Sequence, residues 1–273
     1  MKPTLRNIFP MAMTILLSVV ATTGCGDRYT SEYRKLSKLS GDELKSALNA
    51  LTEPQTEESP NFYNYNQLAT QYKTSDNDPD KEGNVILFYT SKSYEWFPWG
   101  QMGTDRNSVQ REHVWPQSRF RVYGVQDDTK LSPYNDAHNV RPAWGADNMD
   151  HSNYLYGEGN YLFDPNTLAG ADLEHSYRGD IARILFYMAV RYDKLEIIDD
   201  DNAATGLASY QIGKLSYLLK WNLDNPVSQR ETHRNDAIYK GRQGNRNPFI
   251  DHPEYACKIW GLTNDATKGI CGL

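Results

Sequence analysis

Apolar residues recur at helical spacing in several stretches of the chain. In "LSGDELKSALNALT", Leu44, Leu48 and Leu51 share one face, and Ser40 with Glu43 has the spacing of an N-terminal capping box. In "GDIARILFYMAVRYDKL" the stripe is Ile181, Leu185, Met188 and Tyr192, and in "SYQIGKLSYLLKWN" it is Ile212, Leu215 and Leu219. "SQRETHRNDAIYKG" reads as a further helix, amphipathic and basic. One run has a different character: "NVILFYTS", residues 84–91, is β-branched and aromatic and reads as a buried strand. The loops "TEPQTEESPN", "SDNDPDKEGN" and "WFPWGQMGTDRN" punctuate the elements. Over about residues 116–180, Gly, Pro, Asn and Asp are frequent and regular structure is scarce, yet Trp144, Tyr154 and Tyr156 imply that the segment packs on something. Strands and helices do not alternate as βαβ units. The expected class is therefore α+β: a helix-rich single domain with a small antiparallel β element.

The N-terminus has its own pattern. Lys2 and Arg6 precede an apolar run, residues 9–22, too short for a membrane span. The following "ATTGC" resembles a bacterial lipoprotein signal, which implies removal of residues 1–24 and lipidation of Cys25 as the first mature residue. Thr22 stands where such signals usually carry Leu, so plain secretion is the alternative. In both cases the chain is exported. Residues 25–37 are polar and read as a tether, and residues 38–273 as the functional domain. Cys257 and Cys271 then remain as a pair, and export favours a disulfide over free thiols. Widely spaced cysteines without Cys-x-x-Cys make a poor zinc set.

The composition narrows the function classes. The 273 residues carry 29 Lys and Arg against 35 Asp and Glu, a net charge of -6. The mean hydropathy is -0.72, that of a soluble chain. A polyanionic ligand must therefore meet a local basic patch or a bridging cation. One candidate patch spans residues 230–246, where Arg230, Arg234, Lys240, Arg242 and Arg246 face only Glu231 and Asp236. It could hold phosphates without reading bases; a solvated helix face with ion pairs is the alternative.

Candidate chemistry gathers in three pieces: "VQREHVWPQSRF", with Glu112 and His113; "DAHNVRPAWGADNMDHSN"; and "GRQGNRNPF". A zinc-protease reading fails because His113 has no second histidine one helical turn away, and Trp115-Pro116 would stop a helix. A Ser-His-Asp hydrolase reading fails for lack of a Gly-x-Ser-x-Gly elbow. A hard-cation site fits better. Glu112 offers one oxygen and an Asn-rich piece offers another, while a neutral histidine nearby can take a proton from water. There is a geometric objection: adjacent residues of a regular strand point to opposite faces. Glu112 and His113 can share a site only if the backbone is irregular there or the site lies past the strand edge.

These pieces together, with "QGNRNPFIDHPE", resemble the endonuclease I family, non-specific bacterial nucleases of the His-Me finger (ββα-metal) class. The resemblance covers roughly residues 40–260. It implies a ββα-metal motif with His113 as general base and Glu112 and Asn148 as ligands of Mg²⁺, with Mn²⁺ or Ca²⁺ as alternatives. It implies hydrolysis of DNA, and of RNA, to 5′-phosphate and 3′-hydroxyl ends by a monomer. The family commonly has arginine three residues after the asparagine; here His151 stands there. Arg119, Arg121 and Arg141 are candidates for the arginine that holds the cleaved phosphate. Asp136, His138 and Asn139 match a family motif expected to support the metal site, with a hydrogen-bonded turn as the alternative. Asn245, Arg246 and Asn247 could border the substrate groove. The rival function is a non-catalytic surface lipoprotein of the same fold that binds nucleic acid or another polyanion. A peptidase is disfavoured by the absent motifs.

Overall fold

The computed structural model describes residues 27–53, 63–96, 102–124, 131–199 and 208–273. The cleavage signal and Cys25 lie outside the described residues, as does most of "TEPQTEESPN". The chain divides into two compact units, residues 1–37 and 38–273. In the first, the segment read as a tether carries helix α1 (Asp27–Leu36), with Tyr29 and Tyr33 side by side at 5.7 Å between rings.

The second unit is α+β. Its elements are α2 (Gly41–Thr52), α3 (Leu68–Ser75), β1 (Asn84–Ile86), β2 (Ser93–Glu95), β3 (Val109–His113), β4 (Val140–Trp144), α4 (Gly145–His151), β5 (Leu155–Tyr156), β6 (Leu162–Phe163), α5 (Arg178–Arg191), β7 (Glu196–Ile197), β8 (Gln211–Ile212), α6 (Leu215–Asp224), α7 (Gln229–Lys240), α8 (Pro248–Asp251), α9 (Tyr255–Trp260) and α10 (Asp265–Cys271). The strands form two-stranded sheets: β1–β2 and β3–β4 antiparallel, β5–β6 and β7–β8 parallel.

Helix α5 is apolar nearly all round, so it must be surrounded. It is buried from Gly179 to Val190 and packs on α2, α6 and α8. A second apolar cluster joins α3, β4 and α7 through Leu68, Val140 and Ile238. Helix α7 begins with a capping box in which Ser228 and Glu231 bond each other's backbone N–H groups. At α2 the expected box is absent: Ser40 is the N-cap, but its side chain makes no capping bond.

Three other expectations change. The strand over residues 84–91 ends after Ile86, because Tyr89 and Ser91 take left-handed backbone conformations, with φ of 74° and 53°. Ile212 lies in β8, and its helix starts only at Leu215. The loop-rich middle contains β4, α4, β5 and β6. Tyr156 is buried there as expected, whereas Tyr154 is 49% exposed. Cys257 and Cys271 are bonded, with Cα atoms 5.6 Å apart, and join α9 to α10.

Arg234 ties three elements together. Buried, it bonds Asp76 at the end of α3 and the carbonyl oxygens of Ala137 and Val140. It thereby ties α3 and α7 to the start of β4.

Candidate active site

Strand β3 pairs with β4 in register through its last residue, with Glu112 opposite Arg141 and His113 opposite Val140. The backbone is thus a regular strand, and the alternation holds. Gln110 and Glu112 face α4; Arg111 and His113 face Tyr65, which lies under the Arg111 guanidinium at 4.2 Å and stacks on His113 at 5.4 Å. Yet Gln110, Arg111, Glu112 and His113 all line one cleft of about 1010 Å³. Residues from both faces of β3 therefore border one cleft although the strand is regular.

Helix α4 presses on this strand. A Cβ at Gly145 would come within 2.2 Å of the Asp105 carbonyl oxygen, so glycine permits the approach. One helical turn then makes two rungs to β3. Asn148 Nδ2 donates to Gln110 Oε1 at 2.6 Å, and His151 Nδ1 meets Glu112 Oε1 at 2.6 Å. The carboxylate can only accept, so His151 Nδ1 carries the proton. Tyr89 O–H donates to the same Glu112 oxygen at 2.6 Å, and the left-handed turn at Tyr89 delivers it there. Burial and the Glu112 charge push the Tyr89 hydroxyl well above its usual range, so it stays a donor. Two donors thus hold Oε1 of a carboxylate that is 1% exposed, and among the described residues nothing bonds Oε2.

His113 is held from the other side. Its Nε2 lies 2.9 Å from the Tyr134 carbonyl oxygen, which only accepts, so the proton sits on Nε2. Nδ1 keeps its lone pair and accepts from Gln117 Nε2 at 3.1 Å. Burial lowers the imidazole to about 4, against a smaller raising effect of the Tyr134 bond. It is therefore neutral at pH 7, in the tautomer a base needs. Asn139 fixes both ends of this arrangement. Its Oδ1 accepts from the Trp115 N–H at 2.7 Å and its Nδ2 donates to the Pro133 carbonyl at 3.1 Å.

The donor set suits a hard cation. Gln110 takes the Asn148 Nδ2, which leaves Oδ1; with Glu112 Oε2 that gives two oxygens, one of them anionic, beside an open cleft with room for water. Among the described residues there is no cluster of three or more His, Cys, Asp or Glu side chains suited to a metal cage.

The structure separates the candidate arginines. Arg121 is exposed and lines the cleft, with no ion pair among the described residues. Arg119 donates to the carbonyl oxygens of Asn153 and Gln211. Arg141 is buried, 3.3 Å from Asp76 and stacked over Phe88 at 4.3 Å. Neither of these two lines the cleft. Arg111, absent from the candidates, does.

The remaining pieces are internal. Asp136 accepts from Tyr187, Tyr192 and Gln243 at 2.8 Å each. His138 is buried against Tyr187, with Nε2 3.3 Å from the Asn245 carbonyl. Asn245 and Asn247 are fully buried, and Arg246 is locked between Asp236 and Asp251. None of these borders the cleft. The expected basic stripe divides: Arg234 is buried on Asp76 and Arg246 is held by Asp236 and Asp251, while Arg230, bonded to Ser91 at 2.6 Å, Lys240 and Arg242 stay exposed, away from the cleft lining.

Tyr89, Gln110, Gln117 and Tyr134 are additions that residue-by-residue reading missed. Only Gln110 had a signal, standing two residues before Glu112 on the same strand face. Tyr134 contributes a carbonyl oxygen, which any residue could supply.

A neutral histidine and a half-satisfied carboxylate lie on opposite faces of one strand, and both border one cleft together with the Asn148 amide. The chain belongs to the Endonuclease I family, whose model matches residues 40–254. It is 38% identical to a protein of Bacillus amyloliquefaciens named extracellular ribonuclease, over 93% of this chain and 84% of that one. Its counterpart of the same name in Bacillus subtilis (strain 168) is 37% identical over 92% and 85%. A protein of Aeromonas hydrophila named extracellular deoxyribonuclease is 30% identical over 53% of this chain and 66% of that one.

Proposed function

We propose that the protein is an exported, metal-dependent, sequence-non-specific endonuclease that hydrolyses phosphodiester bonds of RNA and DNA to 5′-phosphate and 3′-hydroxyl ends. The observation that carries this is the tautomer of His113: Nε2–H is given to the Tyr134 carbonyl, so the Nδ1 lone pair faces the cleft that Glu112 and Asn148 also line. Family membership and relatives named extracellular nucleases support the substrate class and the export.

In this mechanism His113 Nδ1 takes a proton from water for attack on phosphorus. Gln117 must yield Nδ1 or share it, and its exposed side chain on the Gln117–Arg119 turn is free to shift. Tyr65, stacked on the ring, and Tyr134 hold the imidazole plane while it charges. Glu112 Oε2 and Asn148 Oδ1 would hold Mg²⁺, which when bound supplies charge neutralisation at the phosphate and the leaving oxygen. Arg121 and Arg111, which both line the cleft, hold the phosphate there. The ββα arrangement of β3, β4 and α4 is then a His-Me finger.

Plasmid nicking and RNA cleavage, with and without EDTA, test the proposal. EDTA-sensitive cutting of both substrates, lowered about 10²–10⁴-fold by His113→Ala, is expected. A folded protein that cuts neither would leave the non-catalytic polyanion-binding alternative.

A further inference from the structure

Beside the cleft lies a second hollow, of about 510 Å³, lined by Asp150, Tyr154, Tyr161, Phe163, Leu168 and their neighbours. Tyr154 is 49% exposed and Tyr161 is 76% exposed. Neither ring packs on another ring among the described residues, whereas Tyr65, Tyr89 and Tyr156 all do. Tyr161 moreover sits at φ 65°, a left-handed conformation that costs a non-glycine residue stability. Tyr161 thus combines a costly backbone conformation with a ring open to solvent.

The hollow and the cleft are lined by consecutive residues of one segment. Ser152 and Asn153 line the cleft, and Tyr154, the next residue, lines the hollow. Its floor is Phe163, whose ring packs on His151 at 4.8 Å and on Tyr89 at 5.5 Å, the two residues that hold Glu112. A chain with a phosphate at Glu112 and His113 would run naturally over this floor. Among the described residues no cationic side chain lines the hollow, and Asp150 does. It therefore suits a base, not a second phosphate.

We infer that Tyr154 and Tyr161 form a stacking subsite for an unpaired nucleobase next to the scissile phosphate, favouring single-stranded nucleic acid over duplex. This rests on the proposed nuclease site. Stacking on an aromatic side chain tolerates any base, since each has a π face. It requires an unstacked base, which RNA loops and single strands offer and a duplex withholds.

The test is binding by the whole mature chain, in EDTA so that nothing is cut. The probes are a labelled oligonucleotide of about 12 nucleotides, single-stranded and as its duplex. Tyr154→Ala with Tyr161→Ala should weaken single-strand binding roughly 10- to 100-fold and leave duplex binding nearly unchanged, while the double Phe variant keeps both. Should the Ala variant misfold by circular dichroism, Tyr154→Leu with Tyr161→Leu makes the same comparison. Equal losses on both probes, or no loss on the single strand, would overturn the inference. The nuclease reading fails separately, by absence of EDTA-sensitive cutting in the wild-type chain.

Discussion

His151 Nδ1 and Glu112 Oε1 lie 2.6 Å apart, both buried, and the bond fixes which carboxylate oxygen is left for the cleft. Partners of this kind orient a metal ligand and are commonly worth 10–100-fold in affinity. His151→Ala should therefore weaken Mn²⁺ binding by about that factor in calorimetry, while His151→Asn, which keeps a donor, loses less. Unchanged affinity in the Ala variant would remove His151 from that role.

Three histidines contribute to the pH response of stability. Burial holds His138 down at about 4, against partial opposition from Asp136, and His113 is held similarly. Unfolded, both titrate near 6.5. Between about pH 6.5 and 4 the unfolded chain binds protons that the fold refuses, so stability falls as pH is lowered through that window. His175 runs the other way. Burial opposes its charge, but Asp180 at 3.1 Å outweighs it and raises the pKa, so its contribution is lost as pH rises. Two effects oppose one, and the urea midpoint should be lower at pH 5 than at pH 7, with a smaller drop in His138→Gln. A midpoint that does not fall would contradict this.

Arg121 and Arg141 should fail differently. Arg121→Ala removes an exposed cleft cation; KM should rise, and the salt slope of binding should shrink by about one, at unchanged melting temperature. Arg141→Ala removes one of two arginines on buried Asp76, Arg234 remaining, and should destabilise the fold by about 1–3 kcal/mol. Melting curves and kinetics on the two variants separate a phosphate contact from a structural one.

The Cys257–Cys271 bond closes a loop of sequence separation 14. Replacing both with Ala should cost about 3 kcal/mol in the chain-entropy account. The bond lies in α9–α10, so cleavage at low temperature should persist. Activity lost in a still-folded variant would show a link to the site.

Much of the fold was legible because helical periodicity is local. The stripe through Ile181, Leu185 and Met188 found α5, and those residues are fully buried. The run after Asn84 misled because β-branched composition does not reveal that Tyr89 turns left-handed to reach Glu112. The pairing of Glu112, His113 and Asn148 in one cleft was readable from motif order. Their supports were not: Tyr89 lies 23 residues before Glu112, and Tyr134 lies 21 after His113. Sequence also could not sort the arginines, because Arg121 and Arg141 differ only in what the fold places beside them.

The central claim is that Glu112 and Asn148 share one cation beside His113. A crystal structure of the protein soaked in Mn²⁺, with anomalous scattering to locate the ion, tests it most directly. The account predicts a peak about 2.0–2.3 Å from both Glu112 Oε2 and Asn148 Oδ1, the remaining positions filled by water, with His113 uncoordinated. A peak on His113, or one elsewhere with the Glu112–Asn148 position empty, would contradict it.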